Sequence, residues 1–462
     1  MRGATVALLV GLAALASARA QAQGMDLTSV GARGIARAGA IVVSADDGAA
    51  LWVNPAGIAR RSRLRAQLGV FLSDRGARYA SAQAYQSDPV PESDRQGGEV
   101  GFWAGAQAAL GERVVVGAAY LEPTRLSLAT ARPAYERPDP ADDFRYPGRY
   151  GGTRLSYRRR AVALGASVRV LPTLAAGVSG LALDAALTTD RTIFGAQEED
   201  PDFRDPNFDL GLTVSARDRF VPGAAAGLLF APESLPVELA ASVLWVQAAT
   251  LDGDPTLRDS RGVTGEDPRV AAIVGAGASA STAAPGTTTA RLGARGTFGP
   301  VGVELAGELA TPAGGDDDIA IAGVAIQAGT EAAADVTAIP SPLRTRRTFA
   351  ARAAVDVTLA SGAITLSTGW AFTQGALAAR DLSPALPDLD AHTIAFGAEG
   401  HVGRATISLG LARTIGLGRD VAEADTASTV TAPRIADPPA AAAGHYSAAA
   451  TLVGLGVELD LD

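Results

Sequence analysis

Short runs spread along the chain place apolar residues at every second position and polar or small ones between them. In 301–309, Val301, Val303, Leu305 and Leu309 share one face, and Glu304, Ala306 and Glu308 share the other. In 347–359, Phe349, Val355, Val357 and Leu359 oppose Arg352 and Asp356. In 404–411, Ile407, Leu409 and Leu411 oppose Arg404, Thr406 and Ser408; near the C-terminus Val453, Leu455, Val457, Leu459 and Leu461 oppose Glu458 and Asp460. A period of two is the period of a strand. Charges at alternate positions would be errors in the core of a soluble sandwich. They are consistent with a polar lumen and an apolar outer face turned toward lipid.

Fourteen such runs are predicted, over 64–71, 99–110, 113–128, 153–170, 174–188, 208–231, 236–250, 287–299, 301–310, 347–360, 363–374, 391–402, 404–414 and 446–460. The gaps between them alternate. Short gaps fall at Gly111-Glu112, Leu171-Thr173, Pro232-Leu235, Gly299-Pro300, Ser361-Gly362 and Val402-Gly403, and long gaps lie between. Tight turns on one side, long loops on the other and an even strand count predict an all-β fold, a 14-stranded antiparallel transmembrane β-barrel of the outer-membrane type. A secreted soluble β-protein would not explain the asymmetry. The Ala- and Gly-rich stretches 271–286 and 328–340 read as flexible exterior segments.

Composition agrees. Residues 1–22 read as an export signal, with Arg2 ahead of an apolar stretch over Ala4–Ala16 and small-residue cleavage sites at Ala18–Ala20 or Ala20–Ala22. After it, no apolar run is long enough for a membrane helix. With no cysteine, there is no disulfide framework and no thiol chemistry. Net charge is −9, and about −11 once Arg2 and Arg19 are removed, which argues against a nucleic-acid partner. Every Lys/Arg-type cation is Arg, whose forked geometry suits phosphate-rich lipid head groups.

Residues 23–61 differ from the rest of the mature chain. Gly31, Gly34, Gly39 and Gly48 punctuate short helical pieces. Ser44 with Asp47 has the spacing of a capping box, and Asp46 and Asp47 suit a helix N-terminus. Asn54-Pro55 stops that helix. The segment is the right size for a compact, partly helical hatch filling the lumen of a barrel over 62–462.

Three blocks, Gly31-Ala-Arg-Gly-Ile-Ala-Arg-Ala-Gly39, Ala45-Asp-Asp-Gly-Ala-Ala50 and Asn54-Pro-Ala-Gly-Ile-Ala59, resemble the N-terminal hatch of the FadL/TodX family of outer-membrane transporters of long-chain fatty acids and aromatic hydrocarbons. Val221-Pro-Gly223 to Phe230-Ala-Pro-Glu233, Leu386-Pro-Asp-Leu-Asp390 before His392-Thr393-Ile394, and Gly444-His-Tyr446 extend the resemblance more loosely. It implies fourteen strands, a hatch carrying Gly31, Gly34, Gly39, Asp46, Asp47, Asn54, Pro55 and Ala56, and sideways exit of cargo where the third strand is kinked. Pro123 marks that kink as a lateral-opening candidate; the plainer reading puts Pro123 above the membrane, where its strand enters a loop. Arg291, Arg295 and Arg352 face inward and are candidates to hold a ligand carboxylate, unless they pair with Glu304, Glu308 and Asp356. The chain departs from the family in ending Leu459-Asp-Leu-Asp462 rather than on an aromatic residue, and in being only 5% aromatic. Trp103, Trp245 and Trp370 are candidates for an interfacial girdle or for burial against the hatch.

The expected function is transport of hydrophobic small molecules at the bacterial outer membrane by a monomer that meets outer-membrane lipid, lipopolysaccharide and the barrel assembly machinery. A general diffusion porin and a structural barrel without transport are the alternatives within the fold. A lipid hydrolase needs a Ser–His pair. His392, near Asp390, and His445, two residues from Ser447, lie beside no elbow-like motif, and His401 is the third histidine. Asp316-Asp317-Asp318 lacks the spacing of a calcium loop. No enzymatic role, cofactor or metal is expected.

Overall fold

The computed structural model describes residues 30–60, 64–82, 93–130, 150–196, 203, 206–259, 269–315, 318–427 and 429–461. The expected export signal 1–22, residues 23–29 of the expected hatch, and Asp316 and Asp317 lie outside them.

Fourteen strands form the wall: β1 Arg65–Ser81, β2 Ser93–Leu110, β3 Val114–Thr130, β4 Arg154–Leu171, β5 Leu174–Phe194, β6 Asp209–Phe230, β7 Val237–Val246, β8 Gly286–Phe298, β9 Val301–Ala313, β10 Thr348–Leu359, β11 Ile364–Thr373, β12 Ala391–Val402, β13 Ala405–Gly416 and β14 Gly444–Asp460. All neighbouring wall pairs are antiparallel. The sheet closes because β1 pairs with both β2 and β14: Gly69 lies opposite Trp103 on one side and Gly456 on the other. Closure leaves the wall no free edge. Every predicted run coincides with one of these strands. The tight turns fall between the predicted runs; Gly111, Gly299 and Gly403 take φ of 81°, 60° and 61° there, values that L side chains resist.

The alternation is that of a barrel turned inside out. In β9, Glu304, Ala306 and Glu308 are buried while Leu309 is exposed; in β10, Arg352 and Asp356 are buried. Large apolar side chains cover the outer surface, including Leu68, Leu72, Val100, Leu164, Phe220, Phe396 and Leu455. A surface that apolar would aggregate in water; in a bilayer it is the expected band.

Above the long-loop end the sheet continues beyond the barrel. The first half of β6 pairs with strand Ala249–Asp259, which pairs with Val270–Ala284, which pairs in turn with Ile319–Ala328. This corrects the reading of 271–286 as a flexible exterior segment. Its Ala, Gly and Ser have low strand propensity. The strand forms because Ala249–Asp259, itself paired to the projecting half of β6, and Ile319–Ala328 offer it backbone edges. In 328–340 only Ala334–Asp335 and Ala338–Ile339 join strands.

Residues 30–60 occupy the lumen. They form α1 (Ala32–Ala36), α2 (Ala50–Val53) and a 3-10 turn over Pro55–Arg60, and nearly all of them are buried. α1 packs on β12, β13 and β14, and the 3-10 turn packs on β4, β5 and β6 near the short-turn end. No capping box forms. α2 starts after Ala49, without a side-chain cap; Asp47 Oδ1 instead accepts from the Ala49 amide at 2.9 Å, and Ser44 lies by Arg37.

Candidate functional site

The luminal segment is seated by missing side chains and by buried polar groups. Asn54 Nδ2 donates to Val42 O (3.0 Å) and to Leu228 O in the wall (3.3 Å), and Asn54 Oδ1 accepts from the Ala56 amide (3.2 Å). The wall glycines make room. A Cβ on Gly227 would lie 1.9 Å from Asn54 Oδ1, and one on Gly177 would lie 2.4 Å from the Pro55 carbonyl carbon. Gly369, Gly397 and Gly410 do the same against Arg37, Ala36 and Ala32. Wall hydroxyls take the α2 carbonyls: Ser179 Oγ donates to Leu51 O and Ser242 Oγ to Val53 O, both at 2.6 Å. Gly31 and Gly39 have φ of 85° and 79°, and Gly34 is buried in α1. Asp46 pairs with Arg33 at 2.5 Å, and Arg33 reaches Glu399 on β12 at 2.9 Å.

Arg291, Arg295 and Arg352 do point inward. Arg291 Nε meets Glu308 at 2.6 Å, and Arg352 Nη2 meets the same carboxylate at 3.3 Å. Their other arms donate to Trp52 O and Ala38 O of the luminal segment. Arg295 pairs with Asp356 at 2.7 Å, and Asp356 also takes Arg37 Nε at 2.8 Å. Glu304 accepts from the Val43 amide at 2.7 Å. The three arginines therefore belong to a buried lattice joining wall acids to the luminal segment. Such a lattice is compact only while each charge keeps its partner, because a buried uncompensated ion is far more costly than the pair.

Among the described residues the wall has one long interruption. β2 and β3 pair at Arg95–Thr130 and Gln96–Ala129, then only again from Ala104–Tyr120, so 97–103 of β2 and 121–128 of β3 carry no pair with each other. On the other side of β3 the register against β4 shifts between Leu121 and Thr124. Glu122 and Pro123 together face the single residue Arg160, one residue more than a regular ladder holds. Pro has no N–H to give a ladder, and a bulge bends its strand. Pro123 is thus within β3 and not at the entrance of a loop. It lines a small cavity of about 50 Å³ against Ile41, Val42 and Trp52 of the luminal segment.

A second cavity, of about 110 Å³, is lined by Leu126 and Leu128 from the stretch of β3 that leaves β2, by Leu386 and Leu389 of the 374–390 connection, by Leu452 of β14, and by Ser73, Arg75 and Asp388. It is smaller than the roughly 150 Å³ of an engineered apolar cavity that admits benzene. Occupation by anything larger requires movement of its walls. Asp388 Oδ2 accepts from the Leu377 amide at 2.9 Å, and Asp390 Oδ1 accepts from the Gly375 amide at 2.9 Å, so the two aspartates tie the connection down. Burial pushes the Asp388 carboxyl up to about 7, against the pull of the Leu377 and Ala376 amides and of Arg346. Among the described residues, Arg75 is the one arginine lining this cavity. A first strand that ends at residue 71 leaves Arg75 out. The signal for a longer strand is present: Phe71, Ala77 and Tyr79 continue the inward row at odd positions, while Leu68, Val70 and Leu72 continue the outward one.

Other candidates fall elsewhere. Trp103 is buried and stacks on Phe71 at 6.5 Å, whereas Trp245 and Trp370 are exposed on the outer face. His392 lies against Trp370 and Phe372, His401 contacts Thr406, and His445 contacts Asp420. Asp318 pairs with Arg344. Among the described residues no cluster has the makings of a metal site.

No protein-family model matches the chain, and no curated protein does. Solved structures match over nearly its whole length. A FadL homologue of Pseudomonas aeruginosa superposes with a TM-score of 0.72 at 15% identity, covering 95% of this chain and 100% of that one. The Ralstonia pickettii toluene transporter TbuX gives 0.62 at 12% identity, covering 94% and 99%. The P. putida toluene transporter TodX gives 0.63 at 15% identity, covering 94% and 99%. At such identities the likeness is one of fold. The molecule is a closed fourteen-stranded antiparallel barrel with the fold of these structures.

Proposed function

We propose that this protein is an outer-membrane transporter of hydrophobic small molecules, with residues 30–60 as its hatch and the β2–β3 interruption as its lateral exit. The observation that carries this reading is a conjunction. Among the described residues, the long break in the wall's ladder borders the two luminal cavities described above, through Leu126 and Leu128 on one and Pro123 on the other. Unpaired backbone in hydrocarbon costs several kcal/mol per group. A break kept there suits a path between lumen and lipid. Structural relatives that carry toluene across the same fold support the assignment.

The physics fits apolar cargo. Each methylene removed from water gains about 0.8 kcal/mol, so a dozen gain about 10 kcal/mol. Capture is easy and release is the hard step; sideways delivery keeps the chain buried as it leaves. A filled lumen argues against a diffusion porin. Arg75 serves as the polar handle for cargo that carries a carboxylate, and Arg291, Arg295 and Arg352 serve to seat the hatch. The wall meets outer-membrane lipid through its apolar band, and the barrel works as a monomer.

The test of the route is Pro123→Val, which restores a ladder donor. Uptake of labelled long-chain fatty acid and of toluene should fall while the heat-modifiable folded barrel is present at normal level. Unchanged uptake would remove Pro123 from the path.

A further inference from the structure

The slot between β2 and β3 is bridged by side chains where backbone bonds are missing. Arg125 on β3 sends Nε to Glu99 on β2 at 2.7 Å and Nη1 to Glu122 on its own strand at 2.6 Å. Glu122 is fully buried, with a carboxylate oxygen only 2.7 Å from where a Cβ on Gly101 of β2 would be. Its carboxylate therefore sits in the slot itself. Tyr120 Oη donates to it at 2.9 Å, Arg160 Nε lies at 3.5 Å, and the Tyr120 ring stacks on Phe102 of β2 with centroids 4.9 Å apart. The cluster is also poised to come apart. The β3–β4 register sets Arg125 directly opposite Arg158, with Arg160 two residues on, so three guanidinium groups crowd two carboxylates. Like charges facing each other across strands repel. Glu99 and Glu122 hold them together, with Asp184 of β5 opposite Arg160 as a further acid, and loss of Glu99 or Glu122 tips the balance toward separation.

We propose that Arg125 is the closure of the lateral slot: its ion pair with Glu99 on β2 stands in for the absent ladder, its pair with Glu122 on β3 holds the guanidinium in place for that contact, and the slot stays shut until cargo or a shift of β3 parts Arg125 from Glu99. This rests on the reading of the slot as the exit. It adds a named side chain that sets how readily lipid and lumen communicate, and it places that control in the wall, distinct from the hatch.

The chain has no cysteine, so a single introduced thiol reports alone. Leu126→Cys places one in the cavity behind the slot, at a position that is 2% exposed. The full-length protein in outer-membrane vesicles is exposed to a long-chain N-alkyl maleimide dissolved in the lipid. Labelling should be slow in the otherwise unchanged protein and about tenfold faster with Arg125→Gln, the loss expected when charge-assisted contacts worth a factor of ten or more are removed. Glu99→Gln should accelerate it as well, because it breaks the same cross-slot ion pair, and this variant carries the test if Arg125→Gln does not assemble. As a control, Ala395→Cys, buried on the inner face of β12, should stay slow in every background. Unchanged labelling of Leu126→Cys would overturn the proposal. So would equal acceleration at both thiols, which would mean a loosened barrel. Faster labelling without any cargo uptake would keep the closure and remove the transport reading.

Discussion

The Asn54 carboxamide fills the space that a side chain at Gly227 would need, its Oδ1 standing 1.9 Å from the position of the missing Cβ. The luminal segment and the β6 wall are therefore fitted atom to atom. Asn54→Ala removes two donations, to Val42 O and Leu228 O, and strands the Ala56 amide. Each buried polar group left alone costs about 1–3 kcal/mol. Cells making Asn54→Ala should become permeable to small hydrophilic solutes, measured by swelling of proteoliposomes in sugar solutions, while the barrel still migrates as a folded species. Gly227→Ala should do the same from the other side of the contact.

Glu308 is the shared acid of Arg291 and Arg352, and its loss should be worse than the loss of either partner. Glu308→Gln leaves two buried guanidinium groups facing a neutral amide; Arg352→Gln leaves Glu308 one partner. Breaking a buried pair costs about 3–5 kcal/mol when the surviving charge is uncompensated. The ranking in thermal unfolding of detergent-solubilised barrel should be wild type, then Arg352→Gln, then Glu308→Gln. An equal effect of the two would show that the acid is not the hub.

The 374–390 connection should respond to pH through Asp388. Its folded value near 7 lies above the ordinary value of 3.8, so the folded form holds a proton that the loosened form releases. The closed connection is therefore favoured fully below about 4, and that advantage is lost as pH rises through about 7. Protease nicking between 374 and 390 should be faster at pH 8 than at pH 5. Asp388→Asn should remove most of that difference, and a pH dependence unchanged by the substitution would contradict the assignment.

The proposed carboxylate handle, Arg75, predicts a distinction between cargoes. Arg75→Gln should weaken uptake of a long-chain fatty acid several-fold, the loss of about one charge-assisted contact, and leave toluene uptake near wild type. Equal loss for both would mean that Arg75 supports the wall and not the ligand.

Legibility in the sequence depends on what alternation encodes. Strands such as β9 and β10 announce themselves because each inward Glu, Arg or Asp sits between outward Val, Leu or Phe. The Asn54-Pro55 stop and the glycines of the luminal segment are equally plain. Val270–Ala284 is not, since the backbone edges of Ala249–Asp259 and Ile319–Ala328 recruit it and its Ala and Ser side chains give no pattern. The slot at Glu122-Pro123 is half legible. Pro123 flags a ladder defect, but the 97–103 stretch of β2, with Val100 and Phe102 on its outer face, reads as an ordinary strand. The arginine lattice is one of two readings that the sequence allows; which acid meets which arginine depends on register, and register is a tertiary property. Arg75 escapes because the outward apolar row of β1 ends at Leu72, where the strand rises past the band and its outer face turns polar at Asp74.

The central claim is that hydrophobic cargo crosses this barrel under control of the luminal segment. It is tested most directly by uptake of a labelled long-chain fatty acid, with toluene in parallel, in cells making the full chain and in cells making a version without Gly24–Ala59, at matched levels of folded barrel. The account predicts cargo uptake by the full chain and its loss in the truncation, which instead leaks small hydrophilic solutes. Absence of uptake of either cargo by the full chain, or equal uptake with and without the segment, would contradict it.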